Sequence, residues 1–172
     1  FIDYRLGIEM QAASIVADRI SRMRADGDEQ AALELLAPLR GCLERTRRAL
    51  EAEEVIEAGN ADLELHQQIA EIAQNRFLIS SMSTIVILTR MGSFSDPRGF
   101  GVRADLTQAH EALIDALAAG DASRARAVLR ETLQELAQRL RSGENKQDVV
   151  RDPDLLESDG PEWTTLEDPA PL

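Results

Sequence analysis

Apolar residues return at three- and four-residue intervals along most of this chain, and they rarely alternate. That period belongs to helices with one buried face rather than to strands. Residues 2–24 carry Ile2, Leu6, Ala13, Val16 and Ile20 on one stripe, and Asp26-Gly27-Asp28 reads as the turn that follows. A second stripe, Ala32, Leu35, Leu36, Leu39, Leu43 and Leu50, marks a helix over 28–52, with Pro38 expected to kink it or remove one hydrogen bond. Glu53 to Ala58 reads as a short helical piece. Gly59-Asn60 is expected to break it, and Asn60 to cap a new helix running to Asn75. Asn75 should end or re-cap that helix. Residues 76–91 are apolar nearly all round, which predicts a helix in the centre of a bundle. Gly92 to Gly101 has loop composition. Helices are expected over 104–119 and, capped by Asp121 after Gly120, along the stripe Ala125, Val128, Leu129, Thr132, Leu136 and Leu140.

Composition supports this all-α reading. Hydrophobic residues make up 44% of the 172 and aromatics only 3%, which favours helices over sheets. The net charge of −12 is uneven. Residues 143–172 hold nine acids against Lys146 and Arg151, and four of the six prolines. The expected organisation is a helical domain over 1–142 and an irregular acidic tail over 143–172, on which Trp163 and its leucines could dock against a neighbouring surface. Neither part has the basic surface that binding a phosphate backbone requires. Arg40, Arg45, Arg47 and Arg48 read as a solvated face paired with glutamates. The single cysteine, Cys42, forbids an intrachain disulfide and reads as a packed residue. The longest apolar run, Phe77 to Met91, is too short and too interrupted by serines to span a membrane. The start on Phe1, already inside a helical pattern, suggests a fragment or a processed product.

The chemistry lies where polar groups interrupt the apolar stripes. Asp62 and His66 are one helical turn apart on the face that also carries Ile69 and Ala73. His110, the only other histidine, sits within Leu106, Leu113, Ile114 and Leu117. Burying such groups costs free energy unless they bind each other, another partner or a metal. Asp62, His66 and His110 form a plausible three-ligand set for a divalent cation, with positions left for water or a substrate oxygen. The plainer alternative is an i,i+4 pair and hydrogen-bonded core histidines. Arg5 and Glu9 have the same spacing along the first stripe, where a flanking salt bridge is the simplest reading.

The segment Asp62-Leu63-Glu64-Leu65-His66 through Asn75 resembles the Asp-x-x-aromatic-His…Asn signature of the FCD domain, the effector-binding half of FadR-subfamily GntR regulators. His110-Glu111-Ala112-Leu113 to Asp121, with Arg124-Ala125, resembles that family's second block, and Asp3 to Glu9 resembles its opening Glu-x-Arg-x-x-x-Glu. Leu65 replaces the usual aromatic. Thr132 stands where many members carry a third histidine.

The resemblance implies an antiparallel bundle of six to seven helices around a central ligand cavity. It implies a ligand-sensing rather than catalytic domain, in the cytoplasm, whose effector is a small carboxylate such as a sugar acid, organic acid or amino acid. Asp62, His66 and His110 would hold a metal, zinc first, with nickel or manganese as alternatives. Arg5, Asn75, Ser81 and Thr132 would face the effector. Operator DNA would be bound through a winged helix-turn-helix absent from this chain, in a homodimer, with no membrane partner. Two other readings stay open. One is a metal-free fatty-acyl-type sensor whose cavity is lined by Phe77, Ile85 and Leu88. The other is a metal-dependent hydrolase using the same three ligands.

Overall fold

The structure, a computed structural model, describes residues 1–95 and 104–142. Six helices occupy them: α1 (Ile2–Ala25), α2 (Glu29–Glu51), α3 (Val55–Ile72), α4 (Arg76–Ser95), α5 (Ala104–Ala118) and α6 (Ala122–Ser142). The acidic tail and most of the expected 92–101 loop lie outside the described residues. The loop's first four positions belong to α4 instead. Among the described residues no helix is long and apolar enough to cross a membrane.

Helix α1, not α4, holds the centre. It touches all five other helices and packs most extensively along α6. Its inward face explains why: Ala12, Ala13, Val16 and Ala17 are small and fully buried, so several neighbours approach its backbone at once. Ile20 continues that face into the core shared with Leu36, Leu39, Leu65, Ile85 and Leu117. Helix α4 has a buried edge of Leu78, Met82 and Ile85, but Phe77, Ile87, Leu88 and Met91 are exposed. An all-round apolar sequence therefore does not place α4 in the middle. The central position goes to the helix whose small side chains admit the most neighbours.

The segment around 53–60 also differs from expectation. Glu53 takes a left-handed backbone (φ 60°) and turns the chain. Helix α3 then starts at Val55 and runs unbroken through Gly59 and Asn60. Glycine and asparagine inside a helix cost up to about 1 kcal/mol each. Burial of Ala58 and Ala61 against the neighbouring helices offsets this. Asn75 does cap α4, its Oδ1 accepting from the backbone N–H of Phe77 (3.0 Å) and Leu78 (3.3 Å). Asp121 caps α6 through Arg124 N–H at 2.9 Å. Gly120, at φ 70°, turns the chain from α5 into α6 hard against α1. A Cβ there would meet Ser21 Cβ at 3.0 Å. Three of the four arginines of α2 form surface pairs, Arg45 with Glu64, Arg47 with Glu111 and Arg48 with Glu44.

Candidate metal and effector site

Helix α3 projects His66 and, one turn earlier, Asp62 toward the interior, and α5 projects His110 from the opposite wall. Each comes inward because its neighbours on the same face, Leu65 and Ile69 on α3 and Leu113 and Ile114 on α5, are core residues. Ligand atoms of Asp62, His66 and His110 all lie within 4.8 Å of one another. The two rings meet edge to face, with centroids 5.1 Å apart. His110 Nδ1 lies 3.3 Å from Asp62 Oδ1.

A cavity of about 50 Å³ opens beside this cluster. It has room for roughly four waters. Arg5 from α1 and Thr132 from α6 line it together with the three cluster residues. Thr132 is half-buried and its hydroxyl donates to Val128 O at 2.9 Å. Thr89 on α4 and Arg139 near the end of α6 line it too. Asn75 and Ser81, expected near the effector, are not among its lining residues, and Asn75 serves as the α4 cap. The acyl-type lining fares no better. Ile85 is part of the core, while Phe77 is 69% and Leu88 44% exposed.

Arg5 and Glu9 do more than flank the bundle. Both are buried, and Arg5 Nε donates to Glu9 Oε1 at 2.6 Å. Glu9 Oε2 then lies 2.8 Å from His66 Nδ1. Sequence reasoning paired Glu9 with Arg5 and missed His66. The available signal was the one that singled out Asp62 and His66, namely two charged residues one turn apart on an apolar stripe. Arg139 and Thr89 carried no such signal.

The electrostatics follow from burial and these contacts. Burial works against charge on Glu9, but Arg5 and His66 together outweigh it and hold the carboxyl down at about 2. Burial also disfavours a charged His66. The field and contact of Glu9, helped by Asp62, nonetheless hold that imidazole above its ordinary value. For His110 burial prevails over the pull of Asp62 and pushes it down to about 4.

The donor set of the cluster is of a kind that a cation can use. Asp62 Oδ1 and His110 Nδ1 are buried without a hydrogen-bond partner, whereas Glu9 Oε2 and His66 Nδ1 face each other. Buried polar atoms are normally satisfied, so an unpartnered carboxylate oxygen and imidazole nitrogen side by side leave room for a shared partner. One carboxylate and two imidazoles suit a borderline divalent ion such as zinc.

The family model for the FCD domain matches residues 1–135. This chain belongs to the FCD domain family. FCD domains are the C-terminal effector-binding domains of GntR-family regulators, and the all-helical bundle seen here agrees with that. No curated protein matched the chain. As an FCD domain, the protein is a regulatory ligand-sensing module, and its buried Asp–His–His cluster lies beside the cavity available to a ligand.

Proposed function

We propose that this FCD domain senses a small carboxylate through a divalent cation held by Asp62, His66 and His110. The observation that carries the reading is the convergence of those three side chains, from two helices, on one buried cavity that Arg5 also lines. A cation there would act as a Lewis acid anchor for effector oxygens, and the Arg5 fork suits the same carboxylate. Three protein ligands leave positions open for those oxygens. The small cavity favours an effector of few atoms over a long acyl chain.

Such an effector would bridge α1, α3, α4, α5 and α6, because each contributes cavity residues. Binding then favours whichever arrangement of these helices brings the cavity walls closest. That differential affinity is what a sensor needs to alter a DNA-binding partner domain in a full-length, dimeric FadR-type regulator.

Elemental analysis of protein purified without added metal tests the cation. Calorimetric titration of short carboxylates into zinc-loaded and chelator-treated protein tests the rest. Binding confined to the loaded form is the expected result. Equal carboxylate binding in the stripped form would remove the metal from the mechanism.

A further inference from the structure

Glu9 is not one of the three clustered ligands, yet it touches both halves of the site. Its oxygens are used separately. Oε1 accepts from Arg5 Nε, and Oε2 lies 2.8 Å from His66 Nδ1. The side chains of Arg5, Glu9 and His66 are 3–5% exposed, so water does not compete for these contacts. At 2.8 Å, Glu9 Oε2 and His66 Nδ1 are within hydrogen-bond reach of each other.

We infer that Glu9 is a positioning residue that sets the tautomer of His66 for cation binding. By accepting the Nδ1 proton, Glu9 leaves the Nε2 lone pair free for a cation. Histidines that ligate metals commonly donate their other ring N–H in this way, and that second bond decides which nitrogen is available. The role rests on the reading of Asp62, His66 and His110 as a cation site.

The chemistry requires an acid at position 9. Arg5 Nε–H and His66 Nδ1–H are both donors, so they need two acceptors. An ionised carboxylate supplies two acceptor oxygens and no donor. An amide supplies one acceptor and one donor. In Glu9→Gln, the amide oxygen satisfies Arg5 and the amide NH2 faces Nδ1. Nδ1 must then accept, so the ring proton moves to Nε2 and blocks the lone pair that a cation needs. The same carboxylate also fixes the direction of Arg5, so His66 and Arg5 share one anchor.

The test uses the full chain, stripped with chelator, with zinc titrated against a chromophoric competitor. Glu9→Gln should weaken zinc binding 10–100-fold, the usual loss for such a partner. Nitrogen-15 NMR of the stripped variant should show the His66 proton on Nε2. Cobalt-loaded wild type and variant should share one absorption spectrum at saturation, because Glu9 orients a ligand and is not itself one. A second pair avoids an unpaired buried charge. With Arg5→Met in place, Glu9→Gln is free to turn its oxygen to Nδ1 and should keep zinc affinity within about threefold of wild type. Glu9→Leu in that background should lose 10–100-fold.

Zinc binding that Glu9→Gln leaves unchanged while His66→Ala abolishes it would overturn the role of Glu9 alone. A changed cobalt spectrum would overturn it as well, by making Glu9 a ligand. A wild-type chain that binds no zinc would overturn the cation site and this role with it.

Discussion

Replacing Thr132 by histidine examines the cavity from its far wall. Thr132 lines the same cavity as Asp62, His66 and His110, and its hydroxyl is engaged only with its own helix at Val128 O. The substitution therefore removes little and offers a third imidazole, as a fourth ligand, to a three-ligand set. A ligand gained should be worth at least what a supporting partner is worth, about 10–100-fold in affinity. That is about 1.4–2.7 kcal/mol. By linkage the whole gain appears as stability once zinc saturates both proteins. For a domain of this size each kcal/mol moves the midpoint by about 2–4 °C, so zinc should raise the T132H midpoint about 3–10 °C further than it raises the wild type's. The assay is thermal melting followed by helical circular dichroism, in excess zinc and in chelator. Taking the difference between conditions cancels any packing cost of the larger side chain. Adding His66→Ala should abolish the zinc increment. An identical zinc increment in wild type and T132H would show that position 132 does not converge on the other three, and the site as drawn would be wrong.

Three further outcomes follow from the same contacts. Arg5→Ala should weaken a carboxylate effector by about 1.5–3 kcal/mol in calorimetry, since it removes a charge-assisted bond; unchanged affinity would restrict Arg5 to its pairing with Glu9. Gly120→Ala should cost about 2–4 kcal/mol in urea unfolding, because a positive φ and a 3.0 Å contact with Ser21 add together. Gly27→Ala shares the positive φ but has open space, and should cost only about 1–2 kcal/mol; equal losses would deny the tight approach of the α5–α6 turn to α1. Finally, His110 is held at about 4, below its ordinary 6.5, so its contribution to stability is present above 6.5 and is lost as pH falls through 4. Glu9, held at about 2 rather than 4.5, adds a contribution present above 4.5 and lost as pH falls through 2. His66 is raised and acts in the opposite sense, losing its contribution as pH rises through its folded value. The metal-free protein should thus melt progressively lower from pH 6.5 to 4, and His110→Phe should flatten that limb; a slope that survives the substitution would assign it elsewhere.

Local pattern determined a great deal of this protein. The 3.6-residue stripes placed α1, α2, α5 and α6 to within a residue or two, because a helix that buries one face must repeat apolar residues at that interval. Asn75 and Asp121 were legible as caps because a side chain bonding its own next turn is a local event. Three polar residues on apolar faces stood out, since burial without a partner is costly, and the structure brings them together. What the sequence left open was everything set by neighbours. Nothing in 76–91 says how many helices will pack around it, and the centre went to α1 because its alanines allow closer approach. Gly59-Asn60 looks like a break until Ala58 and Ala61 are buried, at which point packing outweighs propensity. Glu9 and His66 are 57 positions apart in the chain. Only the packing of α1 against α3 brings them to 2.8 Å, and with that contact the ordinary-looking pair of Arg5 and Glu9 joins the cluster of Asp62, His66 and His110.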